Sequence, residues 1–409
     1  MIELLAPAGN MEKLKTAIYY GANAVYFAGK KYGLRALADN FDQDELKESV
    51  DYCHKHNVKA YITLNIIAHN ADFDGLKEYL DYLVEIGVDA VIVADIGIIK
   101  YIKDTTPGLD IHVSTQANVT NKYSAKFFAD MGVTRIVLGR ELTLNQIKEI
   151  REYLPQEIEL EAFCHGAMCI SYSGRCLLSN YIAGREANRG ACVQACRWEY
   201  AIREVKRKDE YPIEQDQRGT YILNSKDLNM LPYIKELRDA GVTSFKIEGR
   251  MKSPYYVATV TNAYRRAIDA LERDEKGYTT DETLIKELFK ASHRKYTTGF
   301  NFKDIYAEES ECIESSYPVQ THEFMAIVTQ DSKDGFVTVE QRNRFVKGDK
   351  LEILSPSKYF NQFLEIGEMR DLEGNIIEDA KGVQQTLLIK TDFDLKAGDI
   401  LRKEIVKKD

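Results

Sequence analysis

The chain has 409 residues, 44% hydrophobic and 29% charged, with a formal net charge of −9. Such a balance supplies a sizeable core and excludes a mostly disordered or fibrous chain, while the length suggests two or three units. The acidic excess excludes a surface coated in positive potential, so any nucleic acid has to be held by local basic clusters.

Along residues 1–275, short apolar runs alternate with amphipathic helical stretches. The runs fall at 4–8, 24–28, 60–64, 90–94, 111–114, 135–138, 158–163 and 245–248. Most are nearly continuous in Val, Ile, Leu and aromatics, as expected of strands covered on both faces. Asp42 with Glu45, and Thr143 with Gln146, have capping-box spacing at helix starts, and Gly21, Gly87, Gly132 and Gly241 stand where helices should close. Eight strand–helix units in series most simply close into a (β/α)8 TIM-like barrel. A doubly wound open sheet is the runner-up. A barrel would put its chemistry at the strands' C-terminal ends, where the chain carries Asn65, Asp95, Gln116, Arg140, His165 and the run Glu248-Gly249-Arg250.

The rhythm breaks at a Cys-rich insertion over 167–198, followed by two runs, 200–205 and 220–224, that look like a two-stranded excursion. The mixed-charge run at 206–210 reads as a solvated tip. Residues 276–316 form an expected helical linker, with a helix pattern near 281–292. From 317 to 409 the chain turns to short alternating strands separated by glycine turns, which predicts a small antiparallel β-barrel domain. No stretch of about 18 apolar residues predicts a membrane span. The opening residues lack the basic and apolar regions of a secretory leader, so the expected location is cytoplasmic.

Five of the seven cysteines (Cys164, Cys169, Cys176, Cys192 and Cys196) share one window, while Cys53 and Cys312 stand apart. An odd count without a leader does not look like a disulfide framework. Cys169, Cys176, Cys192 and Cys196 are separated by six, fifteen and three residues. Four thiolates can saturate a tetrahedral zinc or an iron–sulfur cube, and unrelated thiols are a third reading. Zinc knuckles usually pair cysteines two to four residues apart, and only the last pair approaches that spacing.

The run EAFCHGAMCISYSGRCLLS at 161–179 resembles the signature of peptidase family U32, the collagenase-like peptidases. The likeness continues through NRGACVQACRWEY at 188–200, NSKDL at 224–228 and KIEGRMKSPYYV at 246–257, and LLAPAGN at 4–10 looks like the family's opening strand. Length and the C-terminal β module resemble the subgroup that hydroxylates the tRNA wobble uridine to 5-hydroxyuridine with prephenate as cosubstrate. Relatives act on a ribosomal RNA cytidine or in ubiquinone hydroxylation, so hydroxylation of another RNA is an alternative. The resemblance, not the spacing, places a four-iron–four-sulfur cluster (4Fe-4S) above zinc, with Cys169, Cys176, Cys192 and Cys196 as its ligands. It also implies the tRNA anticodon region and prephenate as binding partners. Oligomeric state and any protein partner stay open.

A peptidase is the other reading the family name implies. Cys164 and His165 are neighbours on an expected strand, so they point to opposite faces and make a poor thiol–imidazole pair. No HExxH zinc-protease pattern occurs. For RNA, Tyr172, Trp198 and Tyr200 are stacking candidates beside the cysteine window. Arg175, Arg185, Arg189 and Arg197, the pair Arg265–Arg266, and a second stretch of Arg342, Arg344 and Lys347 are phosphate candidates. A dicarboxylate such as prephenate suits Arg140, Lys226, Lys246 and Arg250. Glu248 and His165 are the expected proton carriers.

Overall fold

The computed structural model describes residues 2–33, 40–169, 176–185, 187, 191–195, 214–216, 219–221, 226–302 and 319–405. Eight strands form the inner wall of the first domain: β1 (Glu3–Pro7), β2 (Ala24–Phe27), β3 (Lys59–Leu64), β4 (Ala90–Val93), β5 (Ile111–Val113), β6 (Arg135–Val137), β7 (Glu159–Ala167) and β8 (Ser244–Ile247). Each pairs in parallel with the next, and β8 pairs in parallel with both β7 and β1, so the sheet closes. The eight expected strands are the eight observed staves. Helices cover the outside, and their starts are set by caps legible in the chain. Asp42 and Thr143 each complete the expected capping box, and Gly21, Gly87, Gly132 and Gly241 take positive φ where helices close.

Outward-facing residues of the staves (Leu4, Val25, Ile62, Val91, Ile136, Leu160 and Phe245 among them) join the helices in one large apolar cluster. The inward face is different. Leu5, Ala24, Tyr26, Tyr61, Ala90 and Ile92 form an apolar layer there, and below it lies a charged one. Arg135, 2% exposed, donates to Glu159 at 2.8 Å, to Glu161 at 3.0 Å and to Ser244 at 3.2 Å, and it also pairs with Glu3. Burial pushes the Glu3 carboxyl up, but the charge and hydrogen bonds of Arg135, with those of Tyr61 and Ser244, hold it below its ordinary range.

β7 outruns its barrel neighbours. Its last residues pair antiparallel with the short strand Asp227–Asn229, which in turn pairs with Tyr296–Thr297. The strands Glu214–Asp216 and Gly219–Tyr221 form a hairpin, close to one expected strand of the excursion, while 200–205 lies outside the described residues. Beyond the long helix Pro254–Arg273 and the helix Glu282–Leu288, the second domain is a curled antiparallel sheet. Its strands run in the spatial order Phe363–Glu365, Lys350–Leu354, Ile400–Glu404, His322–Lys333, Phe336–Gln341, Thr386–Lys390, Met369–Arg370 and Ile376–Ile377. Register shifts in His322–Lys333 bend it around a core that includes Val328, Val339, Leu351 and Leu387.

The two domains meet through buried charge. Arg402, fully buried, donates to both carboxylate oxygens of Glu287 and, at 2.7 Å, to Glu352 and to Asn361. Lys290 and His322 complete the cluster on Glu352. Arg266 donates to the carbonyls of Ser355, Pro356 and Ser357 at about 3 Å.

Candidate active site at the barrel mouth

A cavity of about 110 Å³ opens at the C-terminal ends of the staves. Every stave but β1 contributes to it: Tyr26 from β2, Thr63 and Asn65 from β3 and its exit, and Ile92 from β4. Ser114, Thr115 and Gln116 follow β5, Arg140 follows β6, Phe163 and Cys169 come from β7 and beyond it, and Lys246, Glu248 and Arg250 come from β8 and its exit. This is the face on which barrels assemble chemistry from different strands.

Two glycines let the backbone close there. A Cβ on Gly166, whose φ is +105°, would sit 2.6 Å from the Glu248 carbonyl oxygen, and one on Gly9 would sit 2.4 Å from that of Arg250. Both approaches press the Glu248–Arg250 segment against its neighbours.

Three cations and one carboxylate face the cavity. Lys246 donates to Glu161 at 2.7 Å and lies over the rings of Tyr26 at 4.5 Å and Phe163 at 5.5 Å. The Arg140 guanidinium lies 4.0 Å over Phe163, and among the described residues its hydrogen-bond partner is the Ala167 carbonyl at 2.6 Å. Arg250 donates to Asn40 at 2.7 Å and to Thr63 at 3.4 Å. Tyr26 OH donates to the Ile247 carbonyl at 2.9 Å and reaches Glu248 at 3.5 Å. One arginine fork stacked on an aromatic, a second arginine and an ammonium suit a carboxylate-bearing ligand. Asn65, Gln116, Arg140, Lys246, Glu248 and Arg250 are thus brought together as expected from the sequence. Tyr26, Thr63 and Phe163 are additions. Their signal was the inward parity of alternate strand residues, hidden inside runs that read as uniformly apolar.

Other expectations fall elsewhere. Asp95 caps a helix by accepting from Ile98 N at 3.1 Å. Lys226 precedes Asp227–Asn229, a strand stitched to the overhang of β7 rather than a stave, and it does not line the cavity. His165 does not line it either. Phe163 pairs with Lys246 but His165 with Ile247, so Cys164 is an extra residue that breaks the inward alternation. His165 is packed against the rings of Tyr256, Tyr264 and Tyr296, and burial pushes its imidazole down to about 3. The ring expected to carry protons is thus enclosed by aromatics and does not open onto the cavity. Cys164 is fully buried, its thiol pushed up by burial and donating to the Lys246 carbonyl at 3.4 Å. The pair therefore offers no nucleophile and base to a peptide.

Cys169 is exposed at the cavity, Cys192 is exposed and Cys176 half-buried; all three are free thiols. Cys192 Sγ accepts from Gln194 N at 3.4 Å and from Ser179 Oγ at 3.8 Å, the kind of outer contacts that orient a ligating sulfur. Among the described residues, no three His, Cys, Asp or Glu side chains gather closely enough to hold a metal ion. Cys196, Tyr172, Trp198, Tyr200, Arg175, Arg189 and Arg197 lie outside the described residues, and Arg185 is exposed.

The remaining basic candidates are committed to protein partners. Arg265 pairs with Asp269, Arg342 with Glu12 and Glu340, Arg344 with Asp379, and Lys347 with Glu378. Among the described residues no helix is long and apolar enough to cross a membrane.

Residues 9–311 match peptidase family U32, and residues 320–402 match the C-terminal domain of that family. The chain belongs to peptidase family U32. Among U32 relatives, tRNA hydroxylation protein P1 of Bacillus subtilis is 38% identical, over 98% of this chain and 94% of its own length. The tRNA hydroxylation protein P of Escherichia coli is 35% identical, over 96% and 94%. The 23S rRNA 5-hydroxycytidine C2501 synthase of Escherichia coli is 37% identical, over 73% of this chain and 45% of its own length.

Proposed function

We propose that this U32 protein is a tRNA hydroxylase that converts the wobble uridine of the anticodon to 5-hydroxyuridine, with prephenate as cosubstrate. The carrying observation is that likeness to tRNA hydroxylation protein P1 runs through both domains, whereas likeness to the ribosomal RNA enzyme spans a smaller share of the chain. The cavity supports the cosubstrate: Arg140, Lys246 and Arg250 offer charge-assisted hydrogen bonds to carboxylates, and Glu248 offers a proton acceptor beside Tyr26. The small cavity favours a base turned out of a single-stranded loop over a duplex. The absence of a Cys164–His165 dyad counts against peptide cleavage.

The same reading assigns a 4Fe-4S cluster to Cys169, Cys176, Cys192 and Cys196. The free thiols and the donors on Cys192 support it. Such a cluster would supply one-electron chemistry or a rigid tie near the mouth. Iron and sulfide quantification after anaerobic purification tests it, with about four of each per chain expected and none in a Cys169→Ala, Cys176→Ala double variant; wild-type protein free of iron overturns it.

Nucleoside analysis of tRNA from a deletion strain tests the activity. Loss of 5-hydroxyuridine derivatives, restored by this chain and not by Arg140→Ala, is expected. An unchanged nucleoside profile, in a strain without a second such enzyme, overturns it.

A further inference from the structure

We propose that Glu161 and Arg135, which do not reach the cavity, are positioning residues that fix the Lys246 ammonium where it meets a carboxylate of the anionic cosubstrate. The inference deepens the proposed function and rests on its reading of the cavity as a dicarboxylate site.

The geometry is a ladder of charge running up the barrel interior. Glu161 is fully buried and uses its two oxygens differently. Oε2 accepts from Arg135 at 3.0 Å, with the Ser244 hydroxyl, which donates to Glu3 at 2.9 Å, 3.3 Å away, while Oε1 accepts from Lys246 at 2.7 Å. Arg135 is anchored in turn by Glu3 and Glu159. The carboxylate is therefore clamped from below and cannot rotate away without breaking bonds to Arg135. Lys246 is held from below by Glu161 and flanked by the Tyr26 and Phe163 rings, which leaves the cavity as the side open to its remaining N–H donors.

Stability does not require this arrangement. Barrel interiors are ordinarily filled by branched apolar side chains, and buried ion pairs do no better than well-packed apolar groups of the same volume. A ladder ending in the floor of a ligand cavity is explained by what it presents there. The same logic sets the share of each group. Lys246 touches the ligand, while Glu161 and Arg135 act through it. Phe163 serves both cations, with Arg140 at 4.0 Å over its ring.

The test uses full-length protein carrying 13Cε-labelled lysine, with the Lys246 signal assigned by its loss in Lys246→Arg. In Glu161→Gln the Lys246 resonance is expected to shift, and the dissociation constant for prephenate to rise about tenfold, with tRNA affinity unchanged and part of the loss recovered by Glu161→Asp. A general folding defect would weaken both ligands together. An unmoved Lys246 signal, or unchanged prephenate affinity in Glu161→Gln, overturns the proposal. Should Glu161→Gln fail to fold, the double variant Glu161→Gln/Lys246→Met, which removes both charges, is expected to fold and not to bind prephenate; restored binding overturns the proposal. A wild-type protein that does not bind prephenate sinks the cosubstrate reading, while the resonance still decides whether Glu161 positions Lys246.

Discussion

Two buried arginines organise this molecule, and they do so with the same chemistry to different ends. Arg135 inside the barrel and Arg402 between the domains are each almost wholly buried, and each gathers more than one carboxylate. The Arg402 cluster ends on Lys290, His322 and Asn361, residues of the interface itself. The Arg135 cluster continues through Glu161 and Lys246 into a cavity. Burial and pairing alone therefore do not mark a functional group; what matters is where the chain of partners ends.

The largest expected effect falls on the interface. Arg402→Met strands Glu287 and Glu352 without their main partner, and removing one member of a buried pair costs about 3–5 kcal/mol. Urea denaturation should show that loss, and the double variant Arg402→Met/Glu287→Met should recover most of it because the buried charge goes too. Prephenate affinity of the folded fraction should not change. A loss under about 1 kcal/mol would mean that the cluster is hydrated in solution and that the contrast with Arg135 has been overdrawn.

Acid separates the two regions next. Burial lowers the His165 imidazole to about 3, so the folded chain refuses a proton that the unfolded chain accepts below about 6.5. Its contribution is complete above that pH and is lost as pH falls, at about 1.4 kcal/mol per unit. Burial pushes the Glu352 carboxyl up, but hydrogen bonds from His322 and Lys290 and the charge of Arg402 outweigh it and hold it well below its usual range. That contribution persists until the pH drops beneath the ordinary glutamate value of about 4.3. Denaturation between pH 7 and 5 should therefore show a slope that is shallower in His165→Gln, while the Glu352 carboxyl adds its own loss only below that window. Equal slopes in wild type and His165→Gln would sink this assignment.

The barrel was legible because its signals are local. Eight apolar runs, two capping boxes and four closing glycines stand at their observed places, each fixed by propensity and backbone geometry within a few residues. The polar interior was harder to see. Glu161 and Lys246 sit at alternate positions of strands that otherwise look doubly buried, and only closure of the sheet reveals that Arg135, five staves along the sequence from Glu3, meets it. His165 misled for a similar reason. Strand parity would place it by counting from Phe163, and the extra residue Cys164 is visible only in the pairing with β8. Lys226 misled because a strand outside the barrel looks, in sequence, like any other.

The smallest effect sharpens the contrast between the barrel mouth and the second domain. Arg342, Arg344 and Lys347 read from sequence as a basic stretch for phosphates, yet each is within ion-pair distance of a carboxylate. Arg140 at the mouth instead spends one bond on a backbone carbonyl and stacks on Phe163. A cation that neutralises a phosphate releases counterions, and each such contact adds about 0.9 to the slope of log affinity against log salt. Arg344→Ala/Lys347→Ala should leave that slope for tRNA unchanged, because Asp379 and Glu378 already balance both charges and exposed pairs of this kind contribute at most about 1 kcal/mol to stability. A slope lower by about two would show that both side chains leave their carboxylates for the RNA backbone. The second domain would then share in holding tRNA.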